Sequence, residues 1–196
     1  MATLRDIQKQ QTRRMLLDEG LALFQAKGYA ATTVDDIATA VGTTRTTFYL
    51  HFPSKAELMA ELITEADGIL TQADDPPLTT VVELGTRELV RTWLDRKFDQ
   101  WEVIRPYLVV ADQAAPSDPE VAGTVERWFE HTAASMHEGL DRAGRFDPET
   151  RRIRCVLAFG ELEFLSRRWL RGGWVIPRET CLETLTDSWC HLLTRE

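Results

Sequence analysis

The residue types best suited to chemistry lie in one short stretch, residues 42 to 55, with the sequence GTTRTTFYLHFPSK. Arg45 stands among four threonines, and an exposed guanidinium can bond both O6 and N7 of one guanine. The hydroxyls and methyls of Thr46 and Thr47 suit a phosphate oxygen or a thymine methyl. The stretch has neither Asn nor Gln, the side chains that read adenine with two hydrogen bonds, and the whole chain contains no Asn. The pattern predicts a DNA-reading element whose half-site includes a guanine bound by Arg45.

Helix signals on both sides of this stretch show how it would be positioned. Apolar residues recur at helical spacing over residues 16 to 24. Thr33 and Asp36 have the spacing of a capping box that opens a second, short helix. Gly42 permits a tight turn, and Thr44 is suited to cap a third helix. This order of elements is the helix-turn-helix plan, in which the last helix enters the DNA major groove.

The rest of the chain is also predicted to be helical, because no stretch shows sustained two-residue alternation. The segment QADDPP, residues 72 to 77, interrupts the helical pattern. Beyond it we expect a fifth helix from about Leu78 to Trp101 and a sixth opened by Pro106. Two further helices open with the same Asp-Pro-Glu triplet, and the last starts near Pro177. The predicted fold class is therefore all-α, with nine helices in total.

Residues 23 to 58 carry a family resemblance. Gly-Tyr, Thr-Thr-Val, Ile-Ala, Val-Gly, Phe-Tyr-x-His-Phe and Ser-Lys all fall in register with the DNA-binding domain of the TetR (tetracycline repressor) family of bacterial regulators, which the segment resembles. The resemblance implies an N-terminal three-helix helix-turn-helix domain over residues 1–55 and a helical ligand-binding and dimerisation domain over residues 56–196.

The same resemblance implies a set of contacts to operator DNA. These residues are Thr33, Thr44, Arg45, Thr46, Thr47, Tyr49, His51 and Lys55. Thr33 and Thr44 have an alternative role as helix caps alone, and His51 has one as a packing or hydrogen-bonding histidine. Phe48 and Phe52 are expected to pack inward, because a three-helix domain needs aromatic filling.

For the larger domain, the resemblance implies a homodimer through helices eight and nine. Helix eight carries two apolar stripes, Ile153, Leu157, Gly160 and Phe164 on one side and Ala158, Leu162, Leu165 and Trp169 on another. With the face of helix nine that contains Leu185 and Trp189, it is expected to form a four-helix interface across a twofold axis. The alternative is that both helices complete the core of the monomer.

A small-molecule effector is also implied, bound among the fifth, seventh and eighth helices. The candidate residues are Trp93, Trp101, Trp128, Phe129, Met136, Phe159 and Glu163. An apolar or aromatic effector suits such a lining, and a cation is an option because aromatic rings attract cations. Each aromatic residue has an alternative role in the core, and Glu163 has one in an ion pair with Arg167.

Composition and missing motifs exclude other classes. The net charge of -8 excludes a general polycation. The three cysteines lack zinc-site spacing, none of the four histidines has a glutamate three positions earlier, and H-E-x-x-H, G-x-S-x-G and Walker-type patterns are absent from the sequence. We therefore expect no enzyme, no metal and no cofactor. The sequence shows neither a secretion leader nor a membrane span, so the expected location is the cytoplasm.

The predicted function is a ligand-responsive transcriptional repressor that a small apolar or aromatic molecule releases from a palindromic operator. The alternative is a helical protein-interaction adaptor that retains the helix-turn-helix but binds no operator. Salt dependence separates the two, because phosphate contacts make DNA affinity fall steeply with salt.

Overall fold

Helices form the regular structure of this chain, as seen in a computed structural model that describes residues 3–72 and 74–194. Within those two ranges there are nine helices and no strand. They are α1 (Leu4–Lys27), α2 (Val34–Ala40), α3 (Arg45–Tyr49), α4 (Lys55–Gln72), α5 (Leu78–Leu84), α6 (Arg87–Ala114), α7 (Pro119–Ala143), α8 (Pro148–Gly172) and α9 (Arg178–Leu193). The predicted all-α fold with nine helices is confirmed.

Local capping sets the ends of the short N-terminal helices, as the sequence predicts. Gly28 ends α1 with a φ of 84°. At the start of α2 the Asp36 N–H donates to the Thr33 hydroxyl at 3.1 Å, and the Thr33 N–H donates to the Asp36 carboxylate at 2.9 Å. The Thr47 N–H donates to the Thr44 hydroxyl at 3.2 Å and so caps α3. These bonds satisfy N–H groups that a helix start leaves unpaired.

The predicted boundary between the fifth and sixth helices is wrong. α5 ends at Leu84, because Gly85 adopts a left-handed φ of 61° and donates its N–H to the Val81 carbonyl. Thr86 then opens α6 by accepting from the Leu89 N–H at 3.3 Å. Pro106 lies inside α6 and does not begin a new helix. Trp93 and Trp101 therefore belong to α6, not to the fifth helix as predicted.

The chain divides into two compact units. The first contains the residues up to Gly68 together with Pro106–Val125, and the second contains Ile69–Arg105 and the residues from Glu126 onward. The buried side chains of the first unit come from α1 to α4, from turns between these helices, and from the segments of α6 and α7 that belong to this unit. Among them are Leu16, Phe24, Ile37, Phe48, Phe52, Leu58, Val110 and Val121. The core beneath α2 and α3 thus includes residues more than fifty positions away in sequence.

In the second unit the two apolar stripes of α8 have different environments. Ala158, Leu162 and Trp169 are buried, whereas Ile153, Leu157 and Phe164 remain 51 to 67% exposed. On α9, Leu185 and Trp189 are buried within the chain, and the Trp189 indole N–H donates to the Ala158 carbonyl at 2.9 Å. Leu185 and Trp189 therefore pack within the chain, which favours the alternative role of these two residues in the core of the monomer. The interface through helices eight and nine stays a prediction. The stripe of α8 that contains Ile153, Leu157 and Phe164 thus presents an apolar surface to solvent.

Gly139 is the position in the second unit where a single methyl group has a strong predicted effect. A Cβ at this residue of α7 would lie 2.5 Å from the Thr79 carbonyl oxygen and 2.8 Å from Val82 Cβ. Since such overpacking shifts backbone, Gly139→Ala is expected to destabilise the chain by about 1–3 kcal/mol in chemical denaturation. Gly68→Ala in α4 is the matched control, since a Cβ there meets nothing within 4 Å, and helix propensity alone predicts a gain of about 0.5–1 kcal/mol. Equal changes in the two variants would contradict the close approach at Gly139.

Candidate nucleic-acid interface

The short helix α3 presents one side to solvent and anchors the other in the core. Phe48 and Phe52 are fully buried, with exposed fractions of 0% and 1%. Arg45 and Thr46 are exposed, and Tyr49 keeps 44% of its surface accessible. The helix has only five residues, so the anchoring aromatics and not helix propensity hold it in place. The inward packing of both phenylalanines is confirmed, and the opposite side is free to meet a ligand.

Arg45 is held at the surface by two neighbours. One guanidinium nitrogen donates to Asp35 of α2 at 3.2 Å, and the other donates to the Tyr49 hydroxyl at 3.3 Å. These interactions raise the pKa of Arg45, with the Tyr49 hydrogen bond as the largest cause. More than half of each side chain in the Arg45–Asp35 pair is exposed, so the pair is weak and exchangeable. Sequence reasoning missed Asp35, because a contact between two helices leaves no periodic signal.

The threonine hydroxyls at both helix starts are engaged in capping. Thr33 donates its hydroxyl to Asp36 at 2.8 Å, and the hydroxyls of Thr44 and Thr47 lie 3.0 Å apart. Thr33 and Thr44 are exposed. A helix N-terminus presents N–H groups and positive potential to an anion, but a helix start that is already capped also serves local structure alone. The phosphate-binding role of these threonines stays a prediction.

The capping box of α2 gives Asp36 a distinctive titration. Hydrogen bonds from the Thr33 backbone and hydroxyl, and then from Lys27, lower the pKa of Asp36 to about 2 from 3.8. Because the folded-state pKa is depressed, the stabilisation from the carboxylate is fully present above the unfolded-state value and is lost as pH falls through the folded-state value. We expect Thr33→Ala, which removes the hydroxyl donor, to raise the pKa of Asp36 in an NMR titration. Lys27→Ala should produce a smaller rise, and an unchanged Asp36 titration in Thr33→Ala would contradict the capping box.

His51 and Lys55 are less accessible than Arg45, Thr46 and Tyr49, the exposed side chains of α3. Within the described residues the Nδ1 atom of His51 is buried without a hydrogen-bond partner. Burial, followed by the charges of Lys9 and Arg13, lowers the pKa of His51 and so favours the neutral ring. The Lys55 ammonium donates to the backbone carbonyls of Tyr29 at 2.7 Å and Thr32 at 2.9 Å. Direct DNA contacts by these two residues remain predictions, and Lys55 has a clear role inside the protein.

The predicted effector residues lie in the second unit, where ring contacts place them in separate groups. Trp128 and Phe129 of α7 both contact Phe159 of α8, with centroids 5.4 and 5.0 Å apart. Trp101 contacts Phe98, Trp169 and Trp174. These contacts bring three of the predicted residues, Trp128, Phe129 and Phe159, together in one cluster.

The other predicted effector residues have partners within the protein. Trp93 stacks on Trp189 with centroids 5.4 Å apart, and its indole N–H donates to Asp74 at 3.1 Å. Met136 has an exposed fraction of 0% and fills the core of the unit. Glu163 accepts a hydrogen bond from Arg167 at 2.7 Å, which is the alternative that the spacing allows. Effector roles for these residues remain predictions.

Membrane-spanning helices and metal-binding clusters are both absent from the described residues. No helix within them is long and apolar enough to cross a membrane. No group of three or more His, Cys, Asp or Glu side chains within the same residues is arranged to hold a metal ion.

Comparison with known proteins identifies similar sequences and folds. The family model described as bacterial regulatory proteins, tetR family, matches residues 16–62. The HTH-type transcriptional regulator EthR of Mycolicibacterium smegmatis is 28% identical over 180 residues, which cover 86% of this chain and 80% of the relative. The matched segment of the family model contains α2, α3 and the start of α4.

Solved structures show the same fold. NalD, the secondary repressor of the MexAB-OprM multidrug efflux pump in Pseudomonas aeruginosa, superposes with a TM-score of 0.67 at 24% identity and covers 95% of this chain and 98% of its own. A complex of SmeT with triclosan gives a TM-score of 0.67 at 18% identity, with 90% of each chain covered.

Proposed function

Because the chain belongs to the TetR family of bacterial regulatory proteins, we propose that it binds a near-palindromic operator as a homodimer and is released by a small apolar or aromatic molecule. The proposed outcome is repression: the bound chain blocks transcription, and its release by such a molecule restores transcription. The helix-turn-helix domain over residues 1–55 is proposed to bind the DNA. The helical domain over residues 56–196 is proposed to bind the effector and the second subunit.

The single observation that carries this proposal is the division of α3 into a buried side and an exposed side. Phe48 and Phe52 are buried, whereas Arg45, Thr46 and Tyr49 face solvent. A short helix with this division suits the major groove, where an arginine reads guanine and small hydroxyls contact phosphates or thymine methyls. Since the Arg45–Asp35 pair is exposed, the guanidinium can exchange this partner for a base at small cost.

A dimer is required because one short helix makes too few contacts for specific binding. Two recognition helices must lie about one DNA turn apart, ~34 Å, to read two half-sites. We propose that the exposed stripe of α8, formed by Ile153, Leu157, Gly160 and Phe164, is the centre of the interface. A Cβ at Gly160 would meet nothing within 4 Å, so this point of the stripe leaves room for a second helix to approach.

For the effector we propose a site that includes the cluster of Trp128, Phe129 and Phe159. Their rings offer flat apolar surface on two helices, which suits an aromatic molecule. The neighbour SmeT was solved with triclosan, an instance of a small molecule bound by a protein of this fold. Release would follow if the effector favours a conformer with weaker DNA affinity, with a coupling free energy of roughly 1–3 kcal/mol.

The proposal is tested by selecting duplexes from a random-sequence library with the purified chain and measuring binding by gel shift. We expect a near-palindromic consensus, a steep fall in affinity with salt, and release by members of a panel of apolar and aromatic compounds. Selection of no consensus, or binding insensitive to salt, would support the adaptor instead. A consensus that no compound releases would remove the effector half of the proposal and leave the DNA-binding half.

A further inference from the structure

A buried tyrosine joins the helix-turn-helix to the start of a helix far along the chain. Tyr29, which follows α1, has an exposed fraction of 3%. Its hydroxyl donates to the Oδ2 atom of Asp118 at 2.6 Å, across a separation of 89 residues. The other oxygen of Asp118 accepts the Glu120 N–H at 3.1 Å and so caps α7. Both residues belong to the first compact unit, so one carboxylate serves a helix start and a side chain of the DNA-binding domain.

Lys55 extends this contact to the turn that precedes α2. Its ammonium lies 4.1 Å from the centre of the Tyr29 ring and donates to the carbonyls of Tyr29 and Thr32. Thr32 is 1% exposed, and its hydroxyl donates to the Gly28 carbonyl at 2.9 Å. The next residue, Thr33, is the N-cap of α2. The position of the α2 N-terminus therefore depends on a partly buried set of bonds in which Lys55 and Tyr29 are central.

The start of α4 contacts the same region. The Ser54 hydroxyl accepts the Glu57 N–H at 3.0 Å, which caps α4, and lies 3.5 Å from the Glu120 carboxylate of α7. The N-terminal turns of α4 and α7 and the turn before α2 are thus linked by side chains. The bonds of Tyr29 and Lys55 in this network are partly buried, and polar groups shielded from water fix geometry when every member has a partner.

Burial and hydrogen bonding determine the protonation states of Tyr29, Asp118 and Lys55 in this network. Burial is the largest cause of a raised pKa of Tyr29, followed by its hydrogen bond to Asp118, so the phenol stays protonated and remains a donor. The same hydrogen bond lowers the pKa of Asp118. Burial lowers the pKa of Lys55, and the charge of Asp118 opposes that effect. At neutral pH the carboxylate is therefore an anion close to a partly buried cation.

We propose that Asp118, through Tyr29 and Lys55, is a positioning residue for DNA binding. The inference rests on the proposed function and assigns a role in it to the first turn of α7. In this arrangement Lys55 acts on DNA indirectly, because its donors hold the turn that places the α2 N-terminus. Substitution of Asp118 removes no DNA-facing side chain. It changes only how the DNA-facing surface is positioned.

The variants for the test are Asp118→Asn and Tyr29→Phe, separately and together. Tyr29 and the Glu120 N–H bind different oxygens of Asp118. An Asn at position 118 replaces one of these oxygens by an NH2 group and removes the negative charge, so the charge-assisted bond from Tyr29 is lost. The matched control is Asp147→Asn. Asp147 opens α8 with the same Asp-Pro-Glu triplet and accepts the Glu149 N–H at 3.0 Å, but it lies in the second unit.

The readouts are affinity for the selected duplex at several salt concentrations and thermal unfolding of each protein. We expect Asp118→Asn and Tyr29→Phe each to weaken binding roughly 2- to 30-fold, the double variant to weaken it by less than the product, and Asp147→Asn to bind as the unsubstituted chain does. The slope of log affinity against log salt should stay unchanged, because no phosphate contact is lost. Loss of one contact would make the slope shallower by about 0.9.

Each of the other results would overturn the inference. Lower stability in Asp118→Asn with undiminished affinity would overturn the inference and leave a structural cap. A shallower salt slope would overturn it as well, since it would mean a direct loss of phosphate contacts. If the unsubstituted chain selects no duplex, the proposed function is overturned and the inference with it, whereas selective binding with normal affinity in both variants overturns the inference alone.

Discussion

Leu157→Asp is expected to convert the proposed dimer of this chain into monomers. Leu157 is 51% exposed in the isolated chain and lies between Ile153 and Gly160 on the exposed stripe of α8. In a twofold interface each substitution occurs twice. Full burial of an exposed leucine stabilises by roughly 1.5–3 kcal/mol. Since Leu157 is already about half buried in the chain, its loss from both subunits weakens association by about 1.5–3 kcal/mol before the unpaired carboxylates are considered. The lost burial alone corresponds to at least roughly a tenfold rise in the dissociation constant, and the unpaired carboxylates raise it further.

The measurement is molar mass in solution by sedimentation over a range of concentrations. Val103→Asp is the matched control, because Val103 of α6 belongs to the same compact unit and is 59% exposed. It should remain dimeric. Gly160→Leu is a second probe. A Cβ at this position meets nothing within 4 Å, and leucine improves helix propensity, so a stable monomer is expected. Dimers of unchanged strength in both Leu157→Asp and Gly160→Leu would exclude the α8 stripe from the interface.

The features that sequence alone predicted correctly are those decided over a few residues. Thr33 and Thr44 cap α2 and α3 because a hydroxyl accepts from an N–H only two or three positions ahead, and the spacing of Thr33 and Asp36 is visible in the sequence. Phe48 and Phe52 also pack inward as predicted. The Phe52 N–H donates to the Phe48 carbonyl at 3.0 Å, so this contact too is decided within a few residues, at the turn that ends α3.

The misplaced boundary between α5 and α6 shows where local signals compete. Gly85 and Pro106 are both able to interrupt a helix, and the chain stops at Gly85 and continues through Pro106. At Gly85 a Cβ would lie 2.7 Å from the guanidinium of Arg145, which donates to the Glu83 carbonyl at 2.9 Å. A side chain 60 residues later in the sequence thus occupies the space beside the turn, and no pattern within α5 or α6 contains that information.

The two stripes of α8 show a related limit. Periodicity locates both stripes, because it reports which residues share a side of the helix. It does not report which side α9 covers, and that depends on the placement of Trp189 against Ala158. The same holds at the candidate DNA interface. The exposure of Arg45 follows from its sequence context, whereas its contact with Asp35 and the bond from Tyr29 to Asp118 depend on how separate elements pack.

Arg45→Ala is expected to remove discrimination at one guanine of each half-site while general DNA affinity survives. A bidentate arginine–guanine contact distinguishes the correct base pair by roughly 5- to 150-fold. Because a palindromic operator contains the contact twice, discrimination on the full site is expected to fall by about the square of that factor. The measurement compares the selected duplex with duplexes in which each guanine in turn is replaced, for the unsubstituted chain and for Arg45→Ala.

The pattern across the replaced duplexes identifies the contact. For the unsubstituted chain, replacement of one guanine per half-site should reduce the binding affinity far more than replacement of any other guanine. For Arg45→Ala, the loss of affinity at that position should disappear, while the losses at the other positions persist. Lys27→Ala is the matched control, because Lys27 is also an exposed cation paired with an aspartate of α2, at 3.0 Å from Asp36. It should keep the full discrimination. If Arg45→Ala instead weakens binding equally on every duplex and makes the salt slope shallower, Arg45 contacts a phosphate and the guanine must be read by another residue.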